Sequence, residues 1–518
     1  MARAKAKRSG GRTGNLRRDK TIAIDQTEWR IPVNNDKPTE PLPPEGVEAI
    51  HKAAMTVLEE VGIDFINEEA KSYLRKAGCT VGTANDTVKM DREWVMEMIS
   101  SAPSEFSIIP RNTKREITIG GKHIVFVNVS SPPNVMDLDR GRRVGDFESF
   151  KDLLKLTQYF NCIHLAGGYP VEPVDIHASY RHLKCLYEKL VLTDKVCHAY
   201  SLGPERVEDG LEMARIASGL TESEFFSRPR IYTNINSSSP LKHDWPMLDG
   251  AMRFARRGQP VFVTPFTLAG AMAPVTMSGA VVQSIAEGLA AIALLQYINP
   301  GTPCVFGTFT SNVDMKTGAP AFGTPEYVRA TQITGQMARF YGIPLRASNA
   351  CAANAPDGQA MWESLNSLWS AINSGVNVVY HSAGWLEGGL IASYEKFIMD
   401  CEVLQQFQRY LEPSITDFSD DALAIEAIKQ VGPTGHFFGA DHTQKRYTNA
   451  FYSPFLSDWR NYEAWEEAGG ELTEQRANKI WKNILNDFKE PKIDESIKEE
   501  LSEYVSRRIS EGGAPTDF

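Results

Sequence analysis

Residues 352–390 read AANAPDGQAMWESLNSLWSAINSGVNVVYHSAGWLEGGL, and the fold is decided here. Asp357 stands where a helix N-cap belongs, and Met361, Leu365, Leu368 and Ile372 follow at helical spacing. Gly375 ends that pattern as a C-cap glycine does. Val376 to Tyr380 is then an apolar run with the length of a strand buried on both faces. His381 falls at the strand's end, followed by Ser382, Ala383, Gly384, Trp385 and Glu387 with two glycines. A helix, a buried strand and a polar-aromatic cluster at the strand's C-terminal end form one unit of an α/β barrel, whose active-site rim lies at that end.

Working outward, the same organisation recurs without repeating in sequence. Short β-type runs end in polar or aromatic residues, and a helical pattern follows each: Cys162–Pro170, Lys195–Gly203, Arg230–Pro240, Pro260–Gly270, Pro303–Asn312, Pro344–Asn354 and Asn377–Trp385. His123–Ser130 is a candidate eighth. About eight strands alternating with helices predict a (β/α)8 TIM barrel rather than an open doubly wound sheet. No GxGxxG or GxxxxGK[ST] phosphate loop accompanies them.

The barrel is expected over 144–465, with an N-terminal α+β extension at 44–143 and a helical C-terminal tail at 466–518. In the extension, helices are predicted from Pro44, over Glu68–Ala77 and over Arg92–Ser100; Asp146 caps another over Phe147–Tyr159. Glu395–Tyr410 and Asp421–Val431 also read as helices, and residues from about 472 onward as a charged, solvent-facing helical end. Residues 1–43, basic and then proline-rich, read as a disordered tail. With no hydrophobic segment, that tail is not a secretory signal, although an organelle presequence or an anionic-surface contact stays open.

The net charge of −10 over 518 residues argues against nucleic acid as the main partner. No apolar run approaches the roughly 18 residues that span a bilayer, and Leu289–Ile298 reads as a core helix. Seven scattered cysteines without a CxxC fit buried thiols in a reducing cytoplasm, with Cys351 a minor candidate nucleophile. The histidines form no HxH or HExxH, and His436, Asp441 and His442 fit loop hydrogen bonds better than a metal site. No GxSxG stands after a strand, and Ser237–Ser239 are turn formers first.

What remains is the rim. Tyr169, His198, Asn234, Asn236, Phe266, Thr308, Phe309, Asn349, His381 and Trp385 stand at predicted strand ends, which a barrel brings to one cavity. Taken singly, each aromatic fits barrel core. As a set, aromatic and neutral polar with few cations, they suit a small organic cation better than a phosphate. A quaternary ammonium offers no N–H, so aromatic faces hold it, at about 0.5 to 2 kcal/mol each.

Asp314–Glu326 (DMKTGAPAFGTPE), Ala355–Glu363 (APDGQAMWE), His381–Leu390 (HSAGWLEGGL), GHFFGADHT and LSDWRNYEAWEEAGG together resemble the trimethylamine:corrinoid methyltransferase superfamily, from about Pro44 to the C-terminal helices. The resemblance implies a (β/α)8 barrel that passes a methyl group from a methylated amine to the cobalt of a separate corrinoid protein. It also implies a homo-oligomer. Where the trimethylamine archetype carries pyrrolysine, this chain has only standard residues, and so resembles the branch that includes glycine betaine methyltransferases.

A quaternary ammonium needs no further activation, because its amine departs neutral. Binding, orientation and desolvation then suffice. In this reading Tyr169, Phe266, Phe309 and Trp385 cradle the ammonium, and His381, the candidate catalytic residue, holds a carboxylate with Asn236 or Asn349; Glu387 joins the substrate-binding set. No DxHxxG cobalamin motif is present, since Tyr180 stands where its glycine would be, so the corrinoid is expected on another chain. A different acceptor such as a folate, or a non-catalytic quaternary-amine binding protein, are the alternatives.

Overall fold

Eight short parallel strands close into a ring in the computed structural model, which describes residues 24–83, 85–413 and 417–516. In chain order they are β1 (Val125–Phe126), β2 (Leu165–Ala166), β3 (Val196–Cys197), β4 (Thr233–Ile235), β5 (Val261–Val263), β6 (Cys304–Gly307), β7 (Leu345–Ser348) and β8 (Val378–Tyr380). Ladders join β4 through β8 in sequence, and β8 pairs with β1. Single bridges, Val127 to Leu165 and His198 to Tyr232, together with the β2–β3 ladder, close the circle.

Each strand feeds one helix: α1 (Phe147–Tyr159), α2 (Ala178–Leu192), α3 (Pro204–Ser218), α4 (Trp245–Arg256), α5 (Met277–Ile298), α6 (Pro325–Tyr341), α7 (Gly358–Asn373) and α8 (Tyr394–Tyr410). The chain is therefore a (β/α)8 barrel. Asp146 and Asp357 cap α1 and α7 as their sequence positions predict, accepting from the backbone N–H of Ser149 and Ala360.

The run at His123–Ser130 supplies β1, so the barrel begins ahead of the sequence-based boundary at residue 144. The rest of the preceding extension has two jobs. A hairpin, Glu105–Ile108 with Ile117–Gly120, plugs the floor of the barrel: Ile108, Ile117 and Ile119 pack into an interior cluster with Val125, Leu165, Phe262 and Val305. Helices Pro44–Thr56 and Arg92–Ser100 pack on the outside of α5. Covered from both sides, α5 is mostly apolar and buried, and it is the one described helix long and apolar enough to cross a membrane.

Residues 24–43 are not a disordered tail. They form a strap beneath the barrel, and only the part of that expectation over 1–23 lies outside the described residues. Trp29 and Ile31 pack against the floor cluster, and the Trp29 ring meets His164 edge-on at 5.0 Å. The Arg30 guanidinium donates to the Gln408 carbonyl at 2.5 Å, and Asn34 Nδ2 donates to the Ile372 carbonyl at 3.0 Å. Two apolar side chains spaced for a strand bind this polar segment down, and bulk composition hides them.

The C-terminal end is likewise not a free tail. Helix Thr473–Asn486 packs on α8 and α1, and Glu495–Ser510 on α2 and α3, burying Trp481, Ile484 and Leu501. The single helix expected at Asp421–Val431 is two, Asp420–Leu423 and Ile425–Val431, broken where Ala424 turns left-handed at φ 52°.

Candidate functional site

Two small sheets stand on the C-terminal ends of the barrel strands. One orders Trp385–Leu386, Ile391–Ser393, Asn134–Asp137 and Gly141–Val144; the other, Leu268–Ala269, Ser311–Val313 and Pro320–Ala321. Between them lies a cavity of roughly 390 Å³.

Its lining brings together His198, Asn234, Asn236, Phe266, Phe309, His381 and Trp385 from the expected rim. Phe309 is the hub: its ring centroid lies 5.1 Å from Phe266, 6.0 Å from His381 and 5.9 Å from Trp385. His381 and Trp385 are 4.1 Å apart. His381 takes the left-handed backbone region at φ 54°, a conformation that costs about 1–2 kcal/mol for a residue with a Cβ and that recurs at functional sites.

Three expected rim residues, Tyr169, Asn349 and Thr308, and Glu387 of the expected substrate-binding set do not line this cavity. Tyr169 is covered by Tyr200, ring centroids 4.5 Å apart, and packs edge-on against Phe150 in the wall behind. Asn349 is fully buried, its amide donating to the Ser382 carbonyl at 3.0 Å, so it shapes the loop after β8 and does not face a ligand. Thr308 is buried outside the lining. Glu387 accepts from Arg142 Nε at 3.0 Å and ties the two mouth loops together.

Tyr200 takes the place expected of Tyr169, its hydroxyl bonded to Ser131 Oγ at 2.9 Å and to the Tyr169 N–H at 2.9 Å. It was within reach of the sequence: it sits two residues after His198, on the same side of an extended chain.

The largest departure is Arg346. The expected lining had few cations, yet this guanidinium, 3% exposed, lies inside the barrel on β7 and lines the cavity. Among the described residues it has no carboxylate partner. Its charge rests on the faces of Tyr380 and Phe309, at 4.7 and 5.5 Å, and its Nε and Nη1 have no hydrogen-bond partner. Burial pulls its pKa down to about 10, which leaves it charged at neutral pH.

His381 Nε2 is 3.4 Å from Arg346 Nη2. The Ser130 backbone N–H points at His381 Nδ1 at 3.3 Å and the Arg346 guanidinium at Nε2, and a neutral imidazole has one lone pair to offer the two donors. Burial first, and Arg346 second, hold the imidazole well below its usual pKa, so it is neutral. With Nδ1 accepting from Ser130, it is Nε2–H that stands beside the guanidinium, and both residues line the cavity.

The Cys351 thiol is not a ready nucleophile. Burial pushes the Cys351 thiol up to about 12, and its Sγ donates to the Trp385 carbonyl at 3.0 Å. His198 is also held neutral, chiefly by burial and then by Lys189. Among the described residues, no three His, Cys, Asp or Glu side chains gather as metal ligands.

Comparison with known proteins fits this geometry. The family model described as trimethylamine methyltransferase (MTTB) matches residues 8–513. A glycine betaine methyltransferase of Desulfitobacterium hafniense (strain Y51) is 36% identical over 468 residues, covering 90% of this chain and 96% of that one. A trimethylamine methyltransferase, MttB, of D. hafniense (strain DSM 10664 / DCB-2) is 28% identical, covering 90% and 93%. A proline betaine:corrinoid methyltransferase of Eubacterium limosum is 27% identical, covering 89% and 96%. With the family match running nearly end to end and a relative above 30% across nine-tenths of the chain, this protein belongs to the trimethylamine methyltransferase family and is a methyltransferase.

Proposed function

We propose that this enzyme demethylates a small betaine, a molecule carrying both a quaternary ammonium and a carboxylate, and passes the methyl group to the cobalt of a separate corrinoid protein. The observation that carries the reading is Arg346: a buried, charged guanidinium with two unpaired nitrogens, beside a ring of aromatic faces.

An unpaired buried charge is costly unless a ligand pairs it. A carboxylate seated in the cavity accepts from Arg346 and from His381 Nε2–H. The other end of the molecule then meets Phe266, Phe309 and Trp385, whose faces hold an N-trimethyl group without hydrogen bonds. Selectivity follows from charge. A cation without a carboxylate shares the dry cavity with Arg346⁺, and two like charges roughly 5 Å apart at an effective dielectric near 20 repel by about 3 kcal/mol. A betaine cancels that term.

The acceptor comes from outside. A reduced corrinoid on a partner protein supplies the nucleophile that takes the methyl group. This chain holds the ammonium with one methyl toward the mouth and excludes water, and burial keeps the nearby Cys351 thiol protonated, so that no thiolate competes for the group. The mouth suits a docking protein: Val174, Val275, Met315 and Leu390 are exposed on the loops after β2, β5, β6 and β8. The relatives described as glycine betaine and proline betaine methyltransferases support the substrate class.

The test mixes the enzyme with a Co(I) corrinoid and a panel of betaines, choline and trimethylamine, following the methyl-Co(III) spectrum. Betaines are expected to react. Reaction with trimethylamine alone, or with none of the betaines, contradicts the reading; demethylation without corrinoid but with a folate assigns the acceptor differently.

A further inference from the structure

One helix on the flank of the barrel, α7, exposes no charge where the surface of an acidic protein is expected to be charged. On α7 the only ionisable side chain is Glu363, and its carboxylate is consumed by the backbone N–H groups of Ala352 and Ala353 and by Gln359. The outward positions of α7 are Trp362, Leu365 and Trp369, spaced i, i+3 and i+7 and 58%, 36% and 39% exposed. Trp369 stacks edge-on with Phe407 and Tyr410 of α8, so the strip continues onto the neighbouring helix.

The strip continues further. Arg409 on α8 donates to the Ala450 carbonyl, and Glu402 accepts from the N–H groups of Phe455 and Leu456. The segment held there carries Phe451 and Trp459, 86% and 71% exposed. Tryptophans left in water at this density mark a surface that is normally covered.

We infer that this α7–α8 flank is the contact between copies of this chain. Charge argues for a second copy. Each chain carries a net −10, so two copies repel over most of their surfaces. A two-fold contact places a patch against itself, which forbids a patch of one sign and favours an uncharged one. Helix α7 meets that condition, since every exposed residue on it is neutral, and at its edge the charges are paired within the chain, Arg409 with Glu412 and Arg460 with Asp458. It also lies on the outer wall, away from the mouth, so a paired enzyme keeps both cavities open to a docking protein.

The experiment is sedimentation velocity on the full-length enzyme at micromolar concentration. The unaltered chain is expected as an assembly of two or more copies. Trp362→Glu, which places two carboxylates face to face across the axis, is expected to shift it to single chains with its helical circular dichroism unchanged. Val61→Glu, a similarly exposed position on the N-terminal extension, is expected to leave the assembly intact. A single chain in the unaltered protein, an intact assembly with Trp362→Glu, or dissociation by Val61→Glu overturns the inference. Should Trp362→Glu fail to fold, Leu365→Cys with a short bis-maleimide replaces it: linked pairs support the contact, and their absence from an assembled sample overturns it.

Discussion

Arg346 Nη2 and His381 Nε2 lie 3.4 Å apart inside a barrel lined by aromatic rings, and among the described residues neither has a carboxylate partner. Charge-assisted hydrogen bonds are worth about 1.5–3 kcal/mol each. Replacing Arg346 by Met is therefore expected to weaken betaine binding by roughly 10- to 150-fold and leave the melting temperature unchanged or higher, since an unpaired buried charge is removed. Arg346→Lys is not expected to rescue, because an ammonium lacks the planar fork that faces a carboxylate. Calorimetric titration of both variants checks this.

Gly389 sits against the site. Its φ of 102° already favours glycine, and a Cβ there would stand 2.5 Å from the Trp385 indole. Gly389→Ala is expected to push the ring out of register with Phe309 and lower kcat/KM by roughly 10- to 100-fold, with a small change in stability. Steady-state kinetics beside a thermal melt separate the two.

The loop that carries Trp385 rests on a fully buried ion pair. Lys396 Nζ pairs with Asp400, whose other oxygen accepts from the Gly384 N–H at 2.9 Å. Lys396→Met leaves Asp400 buried and unpaired, and is expected to cost about 3–5 kcal/mol. The double variant Lys396→Met/Asp400→Leu is expected to recover part of that loss. Urea denaturation of the set gives the coupling.

The pH profile follows from the buried imidazoles. Burial holds His164 at about 3, and His198 and His381 well below the ordinary 6.5. The unfolded chain takes up protons on these three below pH 6.5 and the folded chain does not, so stability falls as pH falls through that value. At pH 5.5 the loss from His164 alone is on the order of 1 kcal/mol, and His198 and His381 add to it in the same direction. Above about pH 8 these groups are neutral in both states and contribute almost no slope. Urea midpoints at pH 7.5, 6.5 and 5.5 measure it.

Much of the barrel was legible because a parallel strand buried on both faces is a continuous apolar run, and all eight predicted runs contain an observed barrel strand. His381, Phe266, Phe309 and Trp385 were legible for a related reason: a polar or aromatic residue just past such a run faces the cavity. Arg346 escaped notice because it lies within its strand, where β7 alternates Leu345 and Ala347 outward with Arg346 inward, and no local pattern says that a buried cation will lack a partner. Tyr169 and Asn349 sit at the right height but turn into the wall, a matter of loop geometry that spacing does not encode. The strap at 24–43 was hidden by composition, because Trp29 and Ile31 hold it through contacts with residues far along the chain.

The most direct measurement compares two ligands that share a trimethylammonium and differ in one group. Calorimetric titration of the enzyme with trimethylglycine and with choline is expected to give binding for the first and at least a hundredfold weaker binding for the second, a gap that shrinks in Arg346→Met. Equal affinity for the two in the unaltered enzyme would contradict the pairing of Arg346 with a substrate carboxylate.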